Sequence, residues 1–267
     1  ISWIANSNNF YHEGNEHFKM NFTKMIKKQL NHLTNEIENT EFVNDKMIGC
    51  SAIIMGGLCF KQQLNYLNMG FQLLKKIINT IFDNDGFPKS RNPRQVIFYL
   101  KYFIFIRELL RDSNTDIPEY LNEIIFYLGQ SFDFYFEDDG TFLFNGNHNL
   151  DISEFKKYLK EYGYKFKNKL TSLGGYSIIK NKKDKIIVDF GATPEKKYSA
   201  DYQSGALSFE IFHDKEKLIT NCGYFQNYNH KLNILSKSTA AHSTLSIDDR
   251  SSCKFKRDKL GYFALEN

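Results

Sequence analysis

Residues 138–146 read Asp138-Asp139-Gly140-Thr141-Phe142-Leu143-Phe144-Asn145-Gly146, and the chain changes character there. Asp-Gly and Asn-Gly steps favour tight turns, and here they bracket a short apolar run. Upstream, apolar residues recur at three- and four-residue steps. Downstream they come in short runs rich in Ile, Val, Phe and Tyr. Helices followed by strands predict an α+β chain with two layers of different class, not alternating βαβ units.

The upstream pattern resolves into successive helices. Phe18, Phe22, Met25, Ile26, Leu30, Leu33 and Ile37 fall on one helix face. The run from Met47 to Phe60 is apolar on every side and rich in small residues. A membrane span needs roughly 20 such residues, so this run predicts a helix buried all round, with glycines that admit close neighbours and with Cys50 and Cys59 as small hydrophobes. Leu64, Leu67, Phe71, Leu74, Ile78 and Ile81 mark a further helix, which stops at the turn Asn84-Asp85-Gly86. After Pro93, Val96, Tyr99, Leu100, Phe103, Ile106 and Leu110 face inward, and Asp116-Ile117-Pro118 opens the next helix. Such helical hairpins suit an α/α toroid or a helical repeat alike.

Ile152 to Tyr162 predicts one more short helix, and strands are expected at 176–179, 185–190, 206–212, 217–220 and 243–247. The composition is that of a packed globular chain, 42% hydrophobic and 16% aromatic. Its 35 basic and 31 acidic residues are interleaved, and runs such as Lys180-Asn181-Lys182-Lys183 are short. Nucleic acid needs a concentrated basic stripe, so no nucleic-acid partner is expected. Four cysteines at positions 50, 59, 222 and 253 have neither zinc spacing nor the density of a disulfide framework. The chain opens at Ile1 inside a helical pattern, without an initiator Met, and reads as an internal piece of a longer protein.

Five segments, in order, resemble heparinase II/III family proteins. Asp85-Gly86-Phe87-Pro88-Lys89-Ser90-Arg91-Asn92-Pro93 is similar to the family's DGG-x-x-SRNP segment, and Asp139-Gly140 with Phe144-Asn145-Gly146 to its DGG…FNG segment. Gly205-Ala206-Leu207-Ser208-Phe209-Glu210, Asn221-Cys222-Gly223 and Ser238-Thr239-Ala240-Ala241-His242-Ser243-Thr244-Leu245 resemble AG-x-LSFE, VNCG and STAAHSTL. The resemblance implies an incomplete α/α toroid followed by an antiparallel β-sandwich, with a glycan cleft between them. It places the C-terminal part of the toroid at 1–135, a connecting segment at 136–173 and the N-terminal part of the sandwich at 174–267.

The chemistry so implied is β-elimination at a uronic acid of an acidic poly- or oligosaccharide. A base takes the C5 proton, donors neutralise the sugar carboxylate, and the glycosidic oxygen leaves with a proton. His242, Arg91 and Tyr202 are the expected catalytic residues; Asn92, Gln203, His148 and Asn145 are expected to bind substrate. Each has a second reading. Arg91 and Asn92 also suit the start of the following helix, Tyr202 and Tyr99 suit packing, and His242 and His148 suit a structural and an exposed loop histidine. The remaining histidines, His12, His17, His32, His213 and His230, are expected at the surface.

Several positions depart from the family pattern. Gln203 and Asn221 stand where related lyases carry a zinc-binding histidine and aspartate, so no metal and no cofactor is expected. Gln95 falls where many carry a catalytic tyrosine, and the family's NNH motif is missing from the helix at 47–60. A non-catalytic glycan-binding or cell-envelope structural protein on the same scaffold is therefore the alternative function, and the resemblance favours the cell envelope or periplasm.

Overall fold

The computed structural model describes residues 1–60, 64–136, 142–148 and 151–266, without the side chains of His12, Glu13 and Leu64. The expected Asp138-Asp139-Gly140 turn, Asn149 and the His12 side chain lie outside these residues. Helices dominate the first part of the chain: α1 (Ser2–Ala5), α2 (Ser7–Glu13), α3 (Glu16–Glu36), α4 (Val43–Cys59), α5 (Leu64–Ile81), α6 (Pro93–Asp112), α7 (Glu119–Phe136) and α8 (Ser153–Glu161). Strands follow: β1 (Ser172–Leu173), β2 (Tyr176–Lys180), β3 (Asp184–Asp189), β4 (Phe209–His213) and β5 (Glu216–Ile219). A short α9 (Lys231–Ser236) and the pair β6 (Phe255–Arg257) and β7 (Phe263–Leu265) complete the order. The helical-then-strand architecture matches the sequence reading.

The chain divides into two compact units, 1–80 with 101–125 and 81–100 with 126–267. In the first, α4 is buried on most sides, and its glycines admit close neighbours. A Cβ on Gly57 would stand 2.7 Å from the Leu67 backbone nitrogen, and one on Gly56 would meet the Leu30 side chain. Cys50 is buried and donates to the Gly70 carbonyl. Cys59, expected inside, is exposed because it sits at the last residue of α4. Phe18 and Met25 of α3 are likewise exposed, while Phe22, Ile26 and Leu30 are buried. That stripe is narrower than the sequence implied.

In the second unit five strands form one antiparallel sheet in chain order, β1-β2-β3-β4-β5. Tyr176 pairs with Asp189, and Ile187 with both Ile178 and Glu210. The period of two therefore puts Tyr176, Asp189, Ile187, Glu210 and Phe212 on the buried face. Every residue of β5 is exposed. The strand expected at 243–247 is absent. Its start is taken by Asn221, whose Oδ1 accepts from the Ser243 backbone N–H, while Leu245 and Ile247 are exposed. β6 and β7 were not anticipated, because strands of three residues are too short to show an alternation.

Candidate functional site

All seven sequence-predicted site residues lie in the second unit, but they separate into buried scaffold and accessible surface. Asp83 builds the turn before them: its Oδ1 accepts from the Asp85 and Phe87 N–H groups, and Gly86 takes φ +71°. The chain then reaches Arg91, itself at φ +59°, which aims the guanidinium into the sheet. There its donors meet five acceptors. Nε reaches the Gly174 carbonyl at 3.2 Å, Nη1 those of Gly191 (3.2 Å) and Ala192 (3.3 Å), and Nη2 the Gly175 carbonyl (3.2 Å) and Asp189 Oδ1 (2.6 Å). The Tyr176 ring lies 4.7 Å from Cζ, and its hydroxyl donates to the Arg91 carbonyl.

No N–H of Arg91 is left for a sugar carboxylate, so its expected place in the reaction gives way to a structural one. Burial acts to lower its pKa, but Tyr176 and Asp189 outweigh this and hold the guanidinium firmly charged. Asn145 belongs to the same cluster. At φ +41° it donates from Nδ2 to Asp189 Oδ2 at 2.8 Å and to the Tyr176 hydroxyl. Tyr202 is 1% exposed, and burial pushes its hydroxyl well above the ordinary tyrosine range, which makes it a poor proton acceptor. Tyr99 is equally buried and packs edge-on against Phe82.

Gln203 is also spent inside the protein. Its Oε1 accepts from the Gly146 N–H at 3.0 Å, and its Nε2 donates to the Gly223 and Ser236 carbonyls. Asn221 is held between Glu210, which accepts from its backbone N–H at 2.9 Å, and Ser243. His242 lies beside Gly205, with both ring nitrogens buried and neither in a well-aligned hydrogen bond. Burial pushes its pKa down to about 4, with the nearby Ser236 backbone acting weakly the other way. These residues do not fit a zinc ion. The two amides are engaged elsewhere, and among the described residues no three His, Cys, Asp or Glu side chains converge.

The accessible chemistry lies where Arg94 and His148 come together, above the buried Asn92. Asn92 starts α6: its Oδ1 accepts from the Arg94 backbone N–H at 3.0 Å, and its Nδ2 donates to Asp201 Oδ2 at 2.9 Å. Gly146, at φ +84°, passes so close that a Cβ would stand 2.5 Å from Asn92 Nδ2. Two residues on, His148 faces Gln226. The amide orientation that satisfies both neighbours puts the Gln226 oxygen 3.0 Å from Arg94 Nη2 and 3.0 Å from His148 Nε2. Burial first, then Arg94, pushes the His148 pKa below its ordinary value. Burial also lowers Arg94, against Asp201 and Tyr224.

Arg94, Asp201, Tyr224 and Gln226 were not among the expected residues. The only sequence signal for Arg94 was its place in the first turn of the helix that Asn92 opens. Nothing local marked Gln226, whose role arises from a contact 78 residues away in sequence. Of the remaining histidines, His17, His32, His213 and His230 are exposed, as expected.

Residues 167–261 match the family described as Heparinase II/III-like, C-terminal. No curated protein matches the chain. Among solved structures it is similar to heparinase III (15% identity, TM-score 0.69, covering 88% of this chain and 43% of that one). It is also similar to the heparan sulfate lyase HepC from Pedobacter heparinus (16%, TM-score 0.71, 90% and 43%). A third is the heparinase III BT4657 gene product with methylated lysines (15%, TM-score 0.72, 88% and 40%). At these identities the likeness establishes the fold, and the chain spans less than half the length of each of these structures.

Proposed function

We propose that this chain, a heparinase-fold protein with a Heparinase II/III-like C-terminal domain at 167–261, is part of a polysaccharide lyase that cleaves an acidic glycan by β-elimination at a uronic acid. One observation carries the reading: a half-buried guanidinium and a histidine kept neutral share one amide at an accessible surface. Arg94 supplies charge to neutralise the sugar carboxylate, which makes the C5 proton removable. His148, depressed below the ordinary histidine pKa, is unprotonated at neutral pH and accepts that proton. Gln226 holds the two at a fixed spacing, and Asn92 with Asp201 fixes the helix start that presents Arg94. Tyr224, whose hydroxyl is pushed up by burial and rests on the Ala200 carbonyl, keeps its proton and is the group assigned to give it to the leaving oxygen. His242 and Tyr202 serve as packing behind this surface. The division into toroid part (1–135), connector (136–173) and sandwich part (174–267) is proposed with it.

The test is ultraviolet absorbance from the new C4–C5 double bond, conjugated to the carboxylate. The substrates are heparan sulfate, chondroitin, hyaluronan and alginate, with the full-length protein as enzyme. Turnover should fall by roughly 10²-fold or more in His148→Ala, the size of a lost general base. The pH profile discriminates further. Because Arg94 helps hold His148 down, the acid limb of the profile should lie below pH ~6.5 and move upward in Arg94→Gln. Full turnover in His148→Ala would remove the proposed base. Absence of any unsaturated product across the panel would favour a glycan-binding protein that performs no chemistry.

A further inference from the structure

Between Ser153 and Lys169 the sequence holds six lysines and two glutamates, a net charge of +4, which equals the formal net charge of the whole chain. The rest of the molecule is balanced, so this segment is where the protein is basic. Its lysines alternate with aromatics: Phe155, Tyr158, Tyr162, Tyr164 and Phe166. In the linear sequence Glu154, Glu161 and the intervening rings break the run. The fold gathers it.

Helix α8 buries Phe155 and Leu159, with Phe155 edge-on to Phe132 of α7 at 5.1 Å. Lys156 and Lys160, four residues apart, then share one helix side. Gly163 ends the helix at φ +76°, where its N–H bonds the Lys160 carbonyl and the Tyr164 N–H bonds the Leu159 carbonyl. This left-handed cap turns the chain back on itself. Phe166 is then seated where a Cβ on Gly129 would clash at 2.0 Å, and Asp133 accepts from the Asn168 N–H at 2.7 Å. The returning segment brings Lys165 to the pocket that Lys156 and Lys160 already line, 220 Å³ in volume, with Tyr164, Phe132 and Phe166 in its walls. Asp133 is the one carboxylate in that lining, and one of its oxygens is occupied by Asn168.

We infer that this pocket is a second binding site for acidic polysaccharide, separate from the Arg94–His148 surface. Aromatic walls suit the C–H face of a sugar ring, and three ammonium groups around the rim suit its carboxylate or sulfate groups. A pocket of this size takes one ring of a chain, and exposed Lys157, Lys167 and Lys169 extend the positive field to neighbouring sugars. Nucleic acid is the less suited polyanion, because the lining has no arginine fork for phosphate and no strip of open aromatic faces for successive bases. The choice of ligand rests on the acidic-glycan reading above. The site itself does not depend on catalysis.

The experiment is isothermal titration of a size-defined heparan sulfate oligosaccharide into the full chain, at low and at physiological salt. Three proteins are compared: wild type, Lys156→Gln/Lys160→Gln/Lys165→Gln, and the charge-matched control Lys180→Gln/Lys182→Gln/Lys183→Gln. The pocket variant should bind about ten-fold more weakly, as expected for three lost surface ion contacts, with affinity falling as salt rises. The control should stay within about two-fold of wild type. The double variant Lys160→Gln/Lys165→Gln repeats the comparison without touching half-buried Lys156. Equal losses in pocket and control variants, or no loss in either pocket variant, would overturn the site. Displacement of the glycan by an equal concentration of single-stranded oligonucleotide would overturn the ligand assignment. The two proposals fail separately: binding that depends on these lysines without any elimination product sinks only the lyase reading, and product formation with binding indifferent to them sinks only this one.

Discussion

Five donors and five acceptors meet at Arg91, and that count decides what the residue can be replaced by. Lysine keeps the charge but brings three N–H groups on one atom, so carbonyls among Gly174, Gly175, Gly191 and Ala192 are left buried without a donor. Gly175 and Gly191 flank the guanidinium so closely that a Cβ would stand 2.8 Å and 2.4 Å from it, so the site was shaped for a flat group. Arg91→Lys should therefore cost about 1–3 kcal/mol, the range for buried acceptors left without a donor. Chemical denaturation would measure it, and a loss below about 1 kcal/mol would mean the fork is not needed. The sequence does single out Arg91, Asn92 and Asn145, because each stands beside a turn signal. It cannot tell scaffold from surface among them. That distinction lies in Asp189, 98 residues downstream of Arg91, and in the glycine pair at 174–175 and Gly191, which carry no mark of the partner they meet. Arg94, passed over in favour of its neighbour, is the arginine with accessible chemistry.

Elements were legible wherever one period ran long enough. The six residues expected to face inward on α6 are all 1% exposed or less, because a 20-residue helix repeats its apolar stripe several times. Strands β2, β3 and β4 were found from runs rich in Ile, Val, Phe and Tyr between turn signals. Segment 243–247 has the same composition but no ladder, since strand pairing is settled by a partner that composition does not name. Close helix packing was legible in kind, through the glycines of α4, though not in which one matters most. The structure singles out Gly57. A Cβ on Gly49 or Gly56 would press on the flexible ends of Ile37 and Leu30, whereas one on Gly57 meets the backbone of Leu67 at 2.7 Å. Side chains rotate aside; a helix backbone must translate. Alanine raises intrinsic helix propensity by about 1 kcal/mol, so Gly57→Ala would stabilise an isolated helix. Here overpacking should win and destabilise by about 1–3 kcal/mol. Gly56→Ala should be milder. Thermal melts ranking Gly56→Ala as the more damaging of the two would refute the backbone argument.

At the scale of the whole molecule, chain order and compact units do not coincide. The second unit takes residues 81–100 as well as 126–267, so the apparent helical-to-β boundary near 135 is no place to cut. Segment 81–100 gives that unit Phe87, which stacks on Tyr135 at 5.6 Å and would meet a Cβ on Gly174 at 2.4 Å. It also gives Arg91, the sole cation against buried Asp189 among the described ion pairs. Without it, 126–267 holds a carboxylate whose cation is missing, three carbonyls (Gly174, Gly191 and Ala192) that lose the Arg91 donor while Gly175 keeps the Phe190 N–H, and a gap where a buried phenylalanine belongs. Losing a buried Phe alone costs about 3–5 kcal/mol, comparable to half the total stability of a typical domain. Fragment 126–267 should therefore lack a cooperative melt, while 81–267 shows one and retains near-ultraviolet circular dichroism from the Tyr135–Tyr176 cluster. A synthetic 81–100 peptide added to 126–267 should restore part of that signal, and Arg91→Ala in the peptide should abolish the effect. A cooperative transition in 126–267 alone would show that the sheet face closes without Arg91, and would return that residue to the list of groups free to bind a sugar.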